Sequence, residues 1–181
     1  MTPDADPGPR PGPTPADSGV VAVTDRQGDL ALATDRWAEL LRRVLVAEGV
    51  VAPWEAGLWF VDADRMATLN ADHRGVEGPT DVLAFGADDG SALRADGEPR
   101  LVGDVVICPA VAAANAAAHG RTVEDELALL VVHGGLHLLG YDHVDDGDAR
   151  QMQQREQELL ATAPMAAPVA ATAAGASAGR S

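Results

Sequence analysis

At 181 residues and 46% apolar, the chain can build one domain with a buried core. Its net charge of −15 excludes a protein whose whole surface coats nucleic acid, because such surfaces are basic. One cysteine, Cys108, excludes an intrachain disulfide framework. With no signal-peptide pattern and no long apolar run beside the main motif, a cytoplasmic protein without a membrane partner is expected.

Residues 1–18 hold six of the 12 prolines and almost no large apolar residues, so they are expected to form a disordered extension. The domain is expected over 19–161, at −14 from 25 acids and 11 arginines. Val20–Thr24 reads as a strand. Thr34 or Asp35 can cap a helix to Glu48, with Leu41, Val44, Leu45 and Glu48 at helical spacing and Gly49 as terminator. Gly57–Val61 reads as a second strand, and Asp62 can cap a short helix to about Asn70. Asp81–Phe85 and Leu101–Ile107 read as two further strands, joined by a glycine-rich, acidic hairpin loop at 86–99. Pro109 opens a helix ending near His119–Gly120. Thr122, with Asp125 three residues on, caps the next helix, and a last helix fits Asp146–Ala161. Residues 162–181 are Ala-rich without an apolar stripe and are expected to be a disordered tail. Strands and helices do not alternate strictly. The pattern implies an α+β (α/β-like) single domain, a mixed sheet of about four strands with helices packed on it.

The chemistry concentrates in His133-Gly-Gly-Leu-His137-Leu-Leu-Gly140-Tyr-Asp-His143. Leu127, Leu129, Leu130, Val131 and Val132 make the preceding helix apolar on nearly every side, so it is expected to be buried. Histidines four apart share a helix face, and both imidazoles of His133 and His137 can reach one ion. Gly140 can end the helix in the left-handed conformation, letting the chain return His143 to the same ion. Three histidines make an open zinc site at the end of a buried helix, with a position free for water or substrate. A structural metal would need a fourth protein ligand; Cys108 and Asp142 are present without ligand spacing. The pattern matches the metzincin peptidase spacing H-E-x-x-H-x-x-G-x-x-H except that Gly134 replaces the glutamate base. Glycine cannot take a proton from water, so the cradle implies other chemistry.

The same block resembles the H-G-x-L-H-L-x-G-Y-D-H signature of the YbeY family of bacterial metallo-endoribonucleases. Asn70-Ala-Asp-His73-Arg74-Gly75 and Pro79-Thr80-Asp81-Val-Leu-Ala84-Phe85 resemble that family's N-x-x-x-R-G and P-T-D-V-L-S-F, with Ala84 in place of serine. Gly103-Asp104-Val105-Val106-Ile107 resembles its G-D-I-V-I strand. The resemblance covers about 19–161. It implies His133, His137 and His143 as ligands of one Zn2+ and Arg74 as the functional arginine. It further implies single-strand-specific endoribonuclease action in 3′-end maturation of small-subunit (16S) ribosomal RNA and in ribosome quality control. The implied partners are ribosomal RNA, the small ribosomal subunit and a ribosome-associated GTPase.

Zinc acidifies water and polarises a phosphoryl oxygen, while a guanidinium can bridge two phosphoryl oxygens. Arg74, expected in a polar loop, is the candidate for the second role. Asp81 suits either a hydrogen bond from a ligand histidine or a turn cap. Asp142 suits a turn, Cys108 a buried filler, and His73 either a proton relay or plain exposure. A non-catalytic, zinc-stabilised ribosome-assembly factor and a metallohydrolase of another phosphoester are the alternatives.

Overall fold

The computed structural model describes residues 19–87, 98–141 and 146–162. Both expected tails, but for Thr162, and most of the acidic loop lie outside the described residues. Four strands form one mixed sheet: β1 (Gly19–Arg26), β2 (Trp54–Val61), β3 (Val82–Gly86) and β4 (Arg100–Ile107). Their order is β1-β2-β4-β3, with β1, β2 and β4 parallel and β3 antiparallel on the edge beside β4.

Strand alternation divides the core. Ala56, Leu58 and Phe60 of β2 and Val105 and Ile107 of β4 point to one face, where α1 (Thr34–Ala47) and α4 (Val123–Leu138) cover them. Val61, Leu83, Val106 and Cys108 belong to the other face and meet Met66 of α2 (Ala63–Arg74). Cys108 is fully buried there, as expected of a small filler, and burial pushes its thiol pKa up. α3 (Pro109–His119) and α5 (Asp146–Thr162) flank α4.

The helix caps follow from local chemistry. Asp62 accepts from Arg65 N at 2.8 Å and Thr122 from Asp125 N at 3.1 Å. α1 departs from expectation. Its N-cap is Ala33, and neither Thr34 nor Asp35 makes a capping bond. That helix is held instead by burial of Trp37, Leu40, Leu41, Val44 and Leu45. α2 also departs, running four residues beyond Asn70 to Arg74, where Gly75 in the left-handed conformation (φ 66°) stops it. β2 begins three residues earlier than expected because Trp54, fully buried, belongs to the core.

α4 is the centre of the molecule, packed against β3, β4, α1, α3 and α5. Its Gly134-Gly135 pair permits this. A Cβ on Gly134 would stand 2.6 Å from Val105 Cγ1 on β4, and one on Gly135 2.9 Å from Leu41 Cδ1 on α1. One glycine admits the sheet and the next admits α1.

Candidate active site

His133 and His137 occupy the last two turns of α4, one turn apart, as their spacing predicts. Their Nε2 atoms are 3.0 Å apart and the rings meet edge to face with centroids 4.5 Å apart. Behind His133, Nδ1 contacts Glu156 Oε1 of α5 at 2.6 Å. Glu156 is nearly buried, at 9% exposure. A carboxylate at this distance accepts from Nδ1 of His133, which leaves Nε2 as the ring atom that faces His137. Gly140, left-handed at φ 86°, follows the end of α4 as expected. His143 and Asp142 lie outside the described residues.

The described donors fit a metal. Two imidazole nitrogens on one tetrahedral zinc stand about 3.4 Å apart. The observed pair needs only a small opening to match. The carboxylate on Nδ1 is the usual partner of a ligating histidine, fixing tautomer and ring orientation. Among the described residues there is no third His, Cys, Asp or Glu in the group. His143, the expected third ligand, lies outside the described residues.

A second network positions α5. Glu48, at the C-terminus of α1, accepts from Arg155 Nε at 2.6 Å and from the Tyr141 hydroxyl at 2.8 Å. The bond to Glu48 raises the pKa of Tyr141 and holds its proton in place. Arg155 and Glu156 are neighbours in sequence. One anchors α5 to α1, and the other reaches His133.

Above the histidines a cleft of about 500 Å³ opens between α4, β3 and the end of α2. Arg74, His73, Thr80 and Asp81 line it together with His133 and His137. Arg74 lies in the last turn of α2 rather than in a loop, and a cation is favoured at that end of the helix dipole. It is exposed. His73 is exposed too, and its ring tilts against Phe85 at 4.7 Å between centroids. Asn70 is buried and donates to Gly78 O at 2.9 Å, tying α2 to the segment that leads into β3.

Asp81 takes the turn role. Its Oδ1 accepts from Val82 N at 2.8 Å and from the Thr80 hydroxyl, and its Oδ2 accepts from Asn115 Nδ2 at 3.1 Å. The carboxylate on His133 is Glu156, which no motif in the sequence singles out. Its expected helix was legible, but the 23-residue separation from His133 carries no motif.

An α+β domain with a histidine pair on a buried helix, a carboxylate behind the pair and an arginine on the wall has the layout of a hydrolytic cleft. Comparison with known proteins gives the family. The profile described as Endoribonuclease YbeY matches residues 22–163, and the chain belongs to that family. A relative from Salinispora tropica named Endoribonuclease YbeY is 45% identical over 136 residues, 71% of this chain and 87% of its own length. One of the same name from Pelotomaculum thermopropionicum is 39% identical over 143 residues, 77% of this chain and 94% of its own. The solution structure of TM1509 from Thermotoga maritima is similar at a TM-score of 0.52 and 25% identity, covering 77% of this chain and 86% of that one.

Proposed function

We propose that this protein is a zinc-dependent endoribonuclease that cuts single-stranded RNA, with maturation of the 3′ end of small-subunit (16S) ribosomal RNA as its task. The observation that carries the reading is the convergence of His133 and His137 Nε2 at 3.0 Å on the floor of a cleft whose wall holds Arg74. His133, His137 and His143 would hold one zinc per chain. When bound, the metal supplies Lewis acidity at the cleft floor, acidifying water and polarising a phosphoryl oxygen.

The chain's own groups do the remaining work. Glu156 fixes the His133 ring by accepting from Nδ1, and the Glu48–Arg155 pair keeps α5 in place to do so. Arg74 offers a planar pair of donors to the phosphate oxygens on which charge builds as the phosphodiester breaks. Gly134 offers no carboxylate, so a peptidase mechanism lacks its base. In this reading the enzyme works in the cytoplasm, on the small ribosomal subunit, with a ribosome-associated GTPase as a further partner and ribosome quality control as a related role. No helix among the described residues is long and apolar enough to cross a membrane.

The test is metal analysis together with cleavage of a single-stranded RNA by the purified protein. The expected result is one zinc per chain and endonucleolytic products, with His137→Ala losing most of both. Full zinc retention in that variant refutes the site.

A further inference from the structure

The sheet face opposite α1 and α4 is only partly covered. Met66 of α2 packs onto Val61, Leu83 and Val106, but beside it a groove of about 570 Å³ remains open over β1, β2 and β4. Arg26, Trp59, Asp62, Arg65, Leu69 and Asp104 line it. Trp59 is 38% exposed, whereas Trp37 and Trp54 are buried.

The Trp59 ring is held in one orientation. Its indole N–H donates to Asp104 Oδ1 on β4 at 3.0 Å. It lies beside Gly57, where a Cβ would run into the Asp104 carboxylate and stand 2.8 Å from the indole nitrogen. An aromatic face ordered before a ligand arrives loses little rotamer freedom on stacking.

The groove also holds two guanidiniums. Arg26 ends β1 and Arg65 lies in the first turn of α2. Neither side chain makes an ion pair or hydrogen bond among the described residues, whereas Arg42, Arg43, Arg121 and Arg155 are all paired with glutamates. Asp62 and Asp104 line the groove as well, each accepting a hydrogen bond, from Arg65 N and from the Trp59 indole, so the two guanidiniums offset the two carboxylates there. In a chain at −15, two unpaired guanidiniums share a groove with an exposed indole.

α2 contributes to both the groove and the cleft. Arg65 and Leu69 face the groove, and His73 and Arg74 line the cleft. The nine steps from Arg65 to Arg74 rise about 14 Å along the helix, a distance that a few nucleotides of single strand can follow.

We infer that this groove is a second RNA subsite: a base of the strand flanking the cleaved linkage stacks on Trp59, and Arg26 and Arg65 contact its phosphates. The inference rests on the endoribonuclease reading of the cleft. Stacking accepts any base, so the subsite adds grip on the single strand rather than base specificity.

The test compares a short single-stranded RNA, confined to the cleft, with a longer one that reaches the groove. The proteins are the wild type, Trp59→Ala and the double variant Arg26→Gln/Arg65→Gln, all zinc-loaded. For the long RNA each variant is expected to raise KM about tenfold and leave kcat unchanged. Cleavage of the short RNA and the zinc content should stay at wild-type levels. On rapid mixing with the long RNA, wild-type tryptophan fluorescence should be quenched and that of Trp59→Ala should not, because Trp37 and Trp54 are buried. An unchanged KM for the long RNA, or quenching that persists without Trp59, overturns the inference while leaving the cleft intact. A wild type that neither binds nor cleaves either RNA overturns the endoribonuclease reading and this inference with it.

Discussion

Replacing Gly134 by alanine tests whether α4 lies against the sheet as closely as the structure shows. Two effects of opposite sign compete. Alanine favours a helix interior over glycine by about 1 kcal/mol. Against that, the new Cβ would stand 2.6 Å from Val105 Cγ1, 3.2 Å from Val105 Cγ2 and 3.4 Å from Val82 Cγ2. Ordinary carbon contacts lie near 3.5–4.0 Å, so about 1 Å must be found. Val105 cannot supply it, because its β-branched side chain sits on β4, hydrogen-bonded on both sides by β2 and β3. Overpacking costs about 1–3 kcal/mol, and an overlap that Val105 cannot relieve falls in the upper half of that range, about 2–3 kcal/mol. The net loss is about 1–2 kcal/mol, or a melting temperature lower by roughly 2–10 °C for a domain of this size. Gly135→Ala is the internal control. Its nearest neighbours are Leu41 Cδ1 at 2.9 Å, the end of a flexible side chain that can turn away, and Val44 Cγ1 at 3.0 Å, an overlap 0.4 Å smaller than that of Gly134 with Val105 and carried by a helix rather than by an internal strand. Its cost should nearly cancel against the helix gain, leaving stability within about 1 kcal/mol of wild type. Calorimetry of the zinc-loaded proteins measures both. A Gly134→Ala protein that melts at or above wild type refutes the packing argument. Gly134→Glu recreates the metzincin spacing but puts a larger side chain at the same contact, so the expected result is a larger loss of stability and no peptide hydrolysis.

Glu156→Gln keeps the shape but weakens the acceptor on His133 Nδ1, and should lower zinc affinity about 10–100-fold, read by competition with a chelator; unchanged affinity would remove Glu156 from the site. Arg74→Lys keeps the charge but loses the paired donors and should slow single-turnover RNA cleavage about a hundredfold, with binding falling less than rate. Only two or three phosphate contacts are expected in so acidic a domain, each adding about −0.7 to the salt slope, and wild-type rates in both Arg74→Lys and Arg74→Ala would exclude the arginine. Glu39 is held at a pKa of about 2 by the guanidiniums of Arg42 and Arg43. A carboxylate depressed in the folded state stabilises above its unfolded pKa of 4.5, and that stability is lost as pH falls from there through about 2. Because the pair is well exposed the effect is about 0.5–1 kcal/mol, so Glu39→Gln should flatten the loss of stability between neutral pH and pH 3; an unchanged pH profile would show that the bridge contributes nothing.

Local signals were read correctly where a side chain bonds its own backbone within a few residues. Asp62, Thr122, Pro109 and Gly120 bound their helices in the structure because capping and left-handed termination are settled inside one turn. α1 is the counter-example. Two residues with capping side chains stand at its start, yet neither is used, because the buried stripe from Trp37 to Leu45 sets the helix position. The end of α2 was misplaced for a related reason. Ala71-Asp72-His73-Arg74 has no large apolar residue to extend a buried stripe, and only the glycine after it signals the stop. The extra helical turn matters to function. An arginine in a loop is free to wander, whereas one in the last helical turn is carried to a fixed place on the cleft wall.

The candidate site divides along the same line. The histidine pair was legible because four residues make one helical turn, whatever surrounds the helix. The carboxylate behind it was not, because Glu156 reaches His133 only after α5 docks, and docking is a tertiary event. Met152 and Leu159 bury one side of α5, which fixes the helix on the core but not its rotation or slide. The Glu48–Arg155 bond, spanning 107 residues of sequence, adds a directional contact from the end of α1. Tyr141 bonds the same carboxylate from the turn after α4, on the path to His143. Glu48 therefore joins three segments that each bear on the histidines. Among 25 domain acids it has no distinguishing neighbour in sequence, and only its position in the folded chain reveals it. The orientation of the candidate metal ligands is thus set in part from α1, a helix that contributes no residue to the cleft.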